Sequence, residues 1–273
     1  MRVIETVAEM RAARRAMASP VGFVPTMGYL HAGHLSLARA ARAECATVVA
    51  SIFVNPTQFG PSEDLSRYPR DLPGDLDLLA SAGVDLVFAP STAEIYPAGF
   101  VTHVEPGGVV TERLEAASRP GHFRGVATVV TKLFGVVAPD VAYFGQKDAQ
   151  QAVVVRRLVR DLDIPVEIVV APTVREPDGL ALSSRNAYLG TADRERAVAL
   201  HRGLEAARAA VEAGEHDASA VLASARAAME PFAVEPEYLA LVDPETLEPL
   251  ERVDREALVA VAARVGPARL IDN

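Results

Sequence analysis

Short apolar runs rich in β-branched residues recur along the first two thirds of the chain, at Val21 to Val24, Thr47 to Val54, Val84 to Ala89, Val141 to Phe144 and Val166 to Val170. Runs that are apolar at consecutive rather than alternate positions predict strands buried on both faces. Between them the apolar spacing becomes helical, over Gly33 to Ala43, Asp75 to Ala82, Val126 to Val137 and Ala149 to Leu162, the last stopping just before Pro165. Strand alternating with helix for some 170 residues predicts an α/β fold, a Rossmann-like parallel sheet flanked by helices. After Pro172 the pattern changes to Ala- and Arg-rich helical stretches, Thr191 to Gly214 and Ala218 to Met229, followed by strand-like Tyr238 to Val242 and Ala257 to Ala263. Two domains are therefore expected: residues 1–172, Rossmann-like, and residues 173–273, a smaller α+β domain that would close as a lid.

The strand-to-helix junctions carry the candidate chemistry, because ligands in open α/β sheets lie beyond the C-terminal strand ends. The first junction reads PTMGYLHAGH, Pro25 to His34, and puts His31 and His34 one helical turn apart at a helix N-terminus. Unpaired amides and the positive dipole end there favour an anion, and Gly33 admits close approach. Neither a GxxxxGK[ST] nor a GxGxxG signature occurs, so any nucleotide site must be of another kind. On spacing alone the two histidines are phosphate donors, two structural caps, or part of a zinc site lacking an evident third ligand.

Composition narrows the choice. Half of the 273 residues are hydrophobic, enough for a substantial core, and no apolar run approaches the ~18 residues of a membrane span. The net charge of −9 argues against nucleic acid as a partner, so an anionic ligand requires a local positive pocket. Among 27 basic residues only Lys132 and Lys147 are lysines. Lys147 lies in FGQKD, where another strand gives way to a helix, a place from which an ammonium reaches phosphate oxygens; Lys132 falls within an apolar helical pattern and receives no role. A single cysteine, Cys45, and an N-terminus without an export-type apolar core point to a reducing, cytoplasmic location.

Three further segments stand out. SIFVNPTQFGPSEDLSRYPRD runs from a strand into a loop where Gln58 can donate and accept at once, although Asn55 and Pro56 equally suit an ordinary turn. RPGHFRGVATVVTKLF places glycines and basic residues before a helix, as a cap would. LSSRN, Leu182 to Asn186, offers two hydroxyls and the planar donors of Arg185, suited to phosphate or to plain surface chemistry.

Taken in order, PTMGYLHAGHLSL, FVNPTQF, YPRD, GHFRGVATVVTKLF, FGQKDAQQ and LSSRN resemble the pantoate–β-alanine ligases, a family of the nucleotidyltransferase superfamily that shares its HxGH turn with class I aminoacyl-tRNA synthetases. The resemblance covers most of residues 21 to 189 and departs little from the family pattern: Ala32 fills the variable HxGH position, and Leu182 stands where methionine is expected. It implies an ATP-dependent ligase of pantothenate biosynthesis, on the coenzyme A pathway, that joins pantoate to β-alanine through pantoyl adenylate and releases AMP and pyrophosphate. It further implies that Met27, Gly28, Tyr29, Leu30, His31, Ala32, Gly33 and His34 cradle ATP, with His34, His31 and Lys147 catalytic. Gly145, Gln146, Lys147, Asp148, Val174, Leu182, Ser183, Ser184 and Arg185 complete the ATP contacts, and Gln58 and Gln151 bind pantoate. Magnesium is expected with ATP, its protein ligand unassigned apart from a guess at Asp75, and the chain is expected to form a homodimer.

Overall fold

The computed structural model describes residues 1–61 and 63–273. They form two compact units, Met1–Gly145 with Val154–Pro172, and Gln146–Val153 with Thr173–Asn273.

The first unit is built on strands β1 (Arg2–Ile4), β2 (Val21–Thr26), β3 (Thr47–Ile52), β4 (Leu86–Phe88), β5 (Val141–Gly145) and β6 (Glu167–Ala171). Its helices are α1 (Val7–Arg14), α2 (Ala32–Glu44), α3 (Leu72–Ser81), α4 (Thr92–Ile95), α5 (Glu115–Ser118) and α6 (His122–Val137), and α7 (Ala149–Asp161) begins in the second unit and ends in the first. All strand pairs are parallel, in the order β1-β4-β3-β2-β5-β6. Val21, Phe23, Val24, Val48, Val49, Ala50, Ala142 and Tyr143 are completely buried, which is why the central strands read as unbroken apolar runs. Each of the larger side chains among them contributes roughly 1.5–3 kcal/mol of transfer free energy. The strand order reverses at β2, with β3 on one side and β5 on the other, so the crevice expected to take a ligand opens at the C-terminal ends of β2 and β5.

The second unit holds α8 (Thr191–Ala197), α9 (Ala199–Glu212), α10 (Ala218–Met229) and an antiparallel sheet β7 (Pro236–Val242), β8 (Leu258–Val265), β9 (Ala268–Asp272). Leu200, Met229, Val261, Ala263 and Leu270 share one core, and Val221, Ala225 and Leu241 another. The α/β sheet and the smaller α+β part agree with the expected fold class. The single helix expected over Thr191 to Gly214 is instead two, broken at Val198. Ala197, Val198, Ala199 and Leu200, on either side of the break, are all buried in succession. Among the described residues no helix is long and apolar enough to cross a membrane.

Candidate active site

After β2 the chain needs two consecutive left-handed residues, Gly28 at φ 81° and Tyr29 at φ 50°. Glycine adopts that region freely, whereas a tyrosine must be held in it. Asp75, in the first turn of α3, does so: its Oδ2 accepts the Tyr29 N–H at 2.8 Å and its Oδ1 the Leu30 N–H at 2.7 Å. A Cβ at position 28 would lie 2.9 Å from the same carboxylate, so space also requires glycine. Asp75 is 3% exposed; burial pushes its carboxyl above the usual aspartate range, the two backbone N–H bonds pull it back, and the charge of Asp71 adds to the rise. Both oxygens are thus engaged in shaping the turn, and the guess that Asp75 ligates magnesium gains no support from the geometry. Among the described residues no three His, Cys, Asp or Glu are grouped so as to hold a metal ion.

The histidines that follow form a reciprocal cap. His31 is the N-cap of α2, its Nδ1 accepting the Gly33 N–H at 3.2 Å, while Nδ1 of His34 accepts the His31 N–H at 3.3 Å. Since a backbone N–H can only donate, both Nδ1 atoms are acceptors, and in the neutral rings the proton sits on Nε2. The ring centroids are 4.1 Å apart. Of the alternatives open on sequence, the structure shows the cap: Nδ1 of each ring accepts a backbone N–H and Nε2 carries the ring proton.

β3 leads to Asn55 and a tight turn at Pro56–Gln58. Asn55 Oδ1 accepts from the Thr57 N–H (3.3 Å), the Thr57 hydroxyl (2.9 Å) and the Tyr96 hydroxyl (2.8 Å), and its Nδ2 donates to Gly125 O (3.2 Å) and Gln58 Oε1 (2.9 Å). An N–H and a carbonyl of the main chain therefore dictate which end of the Asn55 amide is which, and Asn55 in turn dictates that Gln58 turns Oε1 toward it and Nε2 away. That Nε2 donates to Met27 Sδ at 3.3 Å, a weak acceptor. Gly125 on α6 makes the arrangement possible, because a Cβ there would lie 2.4 Å from Thr57 O and 2.7 Å from Gln58 Cα. Burial pushes the Tyr96 phenol up, which keeps it a donor. The GHFRG segment, expected to be a cap, supports the same turn from behind. Arg119 donates to His122 Nε2 (3.1 Å), leaving Nδ1–H of His122 to donate to Gln58 O (2.9 Å), and Arg119 is itself fixed by Glu63 (2.6 Å). Lys132, without a role on sequence, lies 4.9 Å from the Phe100 ring centroid and 5.9 Å from that of Tyr96.

The remaining expected residues fall, apart from Gly145, in the second unit. Gly145 closes β5 in the first unit, and Gln146, Lys147 and Asp148 form the next turn, where Lys147 Nζ is 3.4 Å from Asp148 Oδ1. Gln151, in the first turn of α7, belongs to the second unit, whereas Gln58 belongs to the first. The Leu182 N–H donates to Val174 O at 3.0 Å, so these two are brought together, and Ser183 caps the Ser184–Tyr188 turn by accepting the Arg185 N–H at 3.2 Å. Sequence reasoning missed Asp75 as the holder of the turn, Tyr96 and Gly125 as partners of Asn55, and the contacts of Asp272 and Asn273. No local sequence signal marks these contacts, since each partner lies far along the chain.

A parallel sheet whose order reverses at β2, with a histidine-capped helix start directly after that strand, defines an open α/β protein of the class that takes its ligand beyond the carboxyl ends of the strands. The family model for pantoate-beta-alanine ligase matches residues 2–273. Pantothenate synthetases of Roseiflexus castenholzii and Herpetosiphon aurantiacus are 58% and 59% identical, over 100% of this chain and 98% and 99% of theirs. The crystal structure of the Thermus thermophilus pantothenate synthetase superposes with a TM-score of 0.96 at 54% identity, covering 100% of this chain and 98% of that one. A Francisella tularensis pantoate-beta-alanine ligase complexed with beta-gamma ATP and beta-alanine gives 0.84 at 36% identity, covering 100% and 96%. The chain belongs to the pantoate–β-alanine ligase family.

Proposed function

We propose that this chain condenses pantoate with β-alanine at the expense of ATP, giving pantothenate, AMP and pyrophosphate. Full-length membership of the ligase family, together with an intact HxGH turn, carries this reading. In the first step a pantoate carboxylate oxygen attacks the α-phosphorus of ATP and pyrophosphate leaves, forming pantoyl adenylate. In the second the free amine of β-alanine attacks the acyl carbon, AMP leaves, and the amine gives up a proton. No enzyme nucleophile takes part, so catalysis rests on alignment and charge stabilisation.

The Nε2–H groups of His31 and His34, backed by the N-terminus of α2, donate to phosphate oxygens of ATP, with His34 the principal donor in the adenylation step. Lys147 supplies a positive charge to the same phosphates. Gln58 Nε2 and Gln151 bind pantoate, and Val174 with Leu182 to Arg185 complete the ATP contacts. Magnesium enters as part of the substrate MgATP, and a homodimer belongs to the same reading. The complex of the Francisella relative with beta-gamma ATP and beta-alanine supports two of the three substrates. A product assay omitting pantoate, β-alanine or ATP in turn tests the reaction. Pyrophosphate–ATP exchange that requires pantoate but not β-alanine is the expected signature of the adenylate, and folded protein without that exchange would overturn it.

A further inference from the structure

The last two residues of the chain are tied to the Gln146–Asp148 turn by a set of bonds that the reaction scheme does not use. Asn273 Nδ2 donates to both Gln146 O and Lys147 O at 2.9 Å, and its Oδ1 accepts from Gln146 Nε2 at 2.9 Å. Every polar atom of that side chain is thereby spent on the two residues that set the direction of Lys147. Asn273 is fixed in turn by its neighbour. The buried Asp272 accepts the Asn273 N–H at 2.8 Å and a two-pronged bond from Arg175, Nη1 to Oδ2 at 2.6 Å and Nη2 to Oδ1 at 2.9 Å. Arg175 Nη2 also reaches Asn273 O at 3.3 Å, and Nη1 donates to Gly179 O at 3.0 Å. Arg175 follows Val174, which accepts the Leu182 N–H, and itself pairs with Ala181 as an isolated bridge. One chain of contacts therefore runs from the Val174–Leu182 pairing through Arg175, Asp272 and Asn273 to the Lys147 turn, charge-assisted at its Arg175–Asp272 link and neutral at its two ends.

We propose that Asn273, anchored by the Arg175–Asp272 ion pair, is a positioning residue for ATP that holds the backbone of the Lys147 turn in register with the Val174–Leu182 segment. The inference rests on the ligase reading given above. Two carbonyls turned onto one amide need a donor between them, so an acceptor-only side chain should push the turn away.

The test uses the full chain with Asn273→Asp and, as a variant without added charge, Asn273→Ala. KM for ATP is expected to rise about tenfold or more in both, with KM for pantoate within about twofold and the melting temperature nearly held. Unchanged KM for ATP in both variants would overturn the proposal. So would a common rise in all KM values that follows the melting temperature, since that marks a merely structural contact. Pantoate-dependent exchange by the unaltered chain checks the ligase reading separately: its absence sinks that reading and this inference with it, whereas exchange with an unmoved KM for ATP in the variants sinks the clamp alone.

Discussion

Replacing Gln58 by Glu tests the proposal that this residue offers pantoate a donor and not an acceptor. The Thr57 N–H at 3.3 Å from Asn55 Oδ1 and Gly125 O at 3.2 Å from Asn55 Nδ2 fix the Asn55 amide, and its Nδ2 then claims Gln58 Oε1 at 2.9 Å. In Gln58→Glu one carboxylate oxygen keeps that bond, so the inner side of the network is preserved. The outer atom changes from an N–H donor, now resting on Met27 Sδ, to an anionic oxygen. Loss of a hydrogen bond to a charged group removes about 1.5–3 kcal/mol, and a buried like-charge contact with the pantoate carboxylate adds to it. The expected fall in kcat/KM for pantoate is therefore on the order of 10- to 150-fold or more, with KM for ATP little changed. Asn55→Asp should arrive at the same phenotype from the opposite side, since an acceptor-only residue there forces Gln58 to turn Nε2 inward and present Oε1. Steady-state kinetics at saturating ATP, with a melting curve for each variant, make the measurement. If Gln58→Glu keeps kcat/KM for pantoate within about threefold of the parent while the protein stays folded, Nε2 does not face the acid and the orientation argument is refuted.

Three other outcomes follow from the geometry. His31→Asn should retain the helix cap, since asparagine is among the best N-cap residues and a cap is worth about 1 kcal/mol, yet lose the Nε2–H donor; a normal melt with turnover down by roughly two orders of magnitude is expected, and full turnover would remove His31 from catalysis. Asp75→Asn sets an NH2 group against one of two backbone donors, so KM for ATP should rise while stability changes little, because the neutral side chain escapes the burial penalty that raises the Asp75 carboxyl; a large melting loss with unchanged KM for ATP would contradict this. Asp178, Asp217 and Asp243, all in the second unit, are held below the usual 3.8, Asp178 chiefly by its bond to Arg194, Asp217 by Ser219 and Asp243 by the Thr246 and Glu245 N–H groups. Groups lowered on folding contribute stability above 3.8 that disappears as pH falls through their folded values, whereas Asp75, raised, acts in the opposite sense in the first unit. Hydrogen exchange on acidification below about pH 4 should therefore open the second unit first, and earlier opening of the first unit would refute the assignment.

How much of this was legible in the sequence depended on the range of the interaction. β2, β3 and β5 were readable because burial on both faces leaves no polar alternation to confuse the period, and the sequence pattern for α10 coincides with its observed limits, Ala218 to Met229. β1 escaped because it has three residues, of which Arg2 and Val3 are exposed, and β9 because ARLID is short and follows its partner closely. The break at Val198 carries no Gly or Pro, so local rules give no sign of it. At the site the HxGH turn was legible since its cap is local, each bond spanning two or three positions. What holds that turn was not, because Asp75 reaches Tyr29 across 46 positions, and neither was what holds the Lys147 turn, because Asn273 reaches Gln146 across 127.

The polar contacts of the first unit share one physical logic, whatever their range along the chain. At each proposed contact a main-chain atom or a fixed donor, whose polarity cannot change, determines the direction of a side chain whose polarity can. The Gly33 and His31 N–H groups select the tautomers of His31 and His34; the Thr57 N–H and Gly125 O select the Asn55 amide and through it Gln58; Arg119, which only donates, selects the His122 tautomer that bonds Gln58 O. A donor oriented in this way need not reorganise when charge develops on a phosphate or a carboxylate, and that absence of reorganisation is the source of most electrostatic catalysis. It also explains why glycine is required at 125. Any side chain there would enter the space of Thr57 O, move α6 away from the turn, and withdraw the carbonyl from which the order of the Asn55 and Gln58 amides descends.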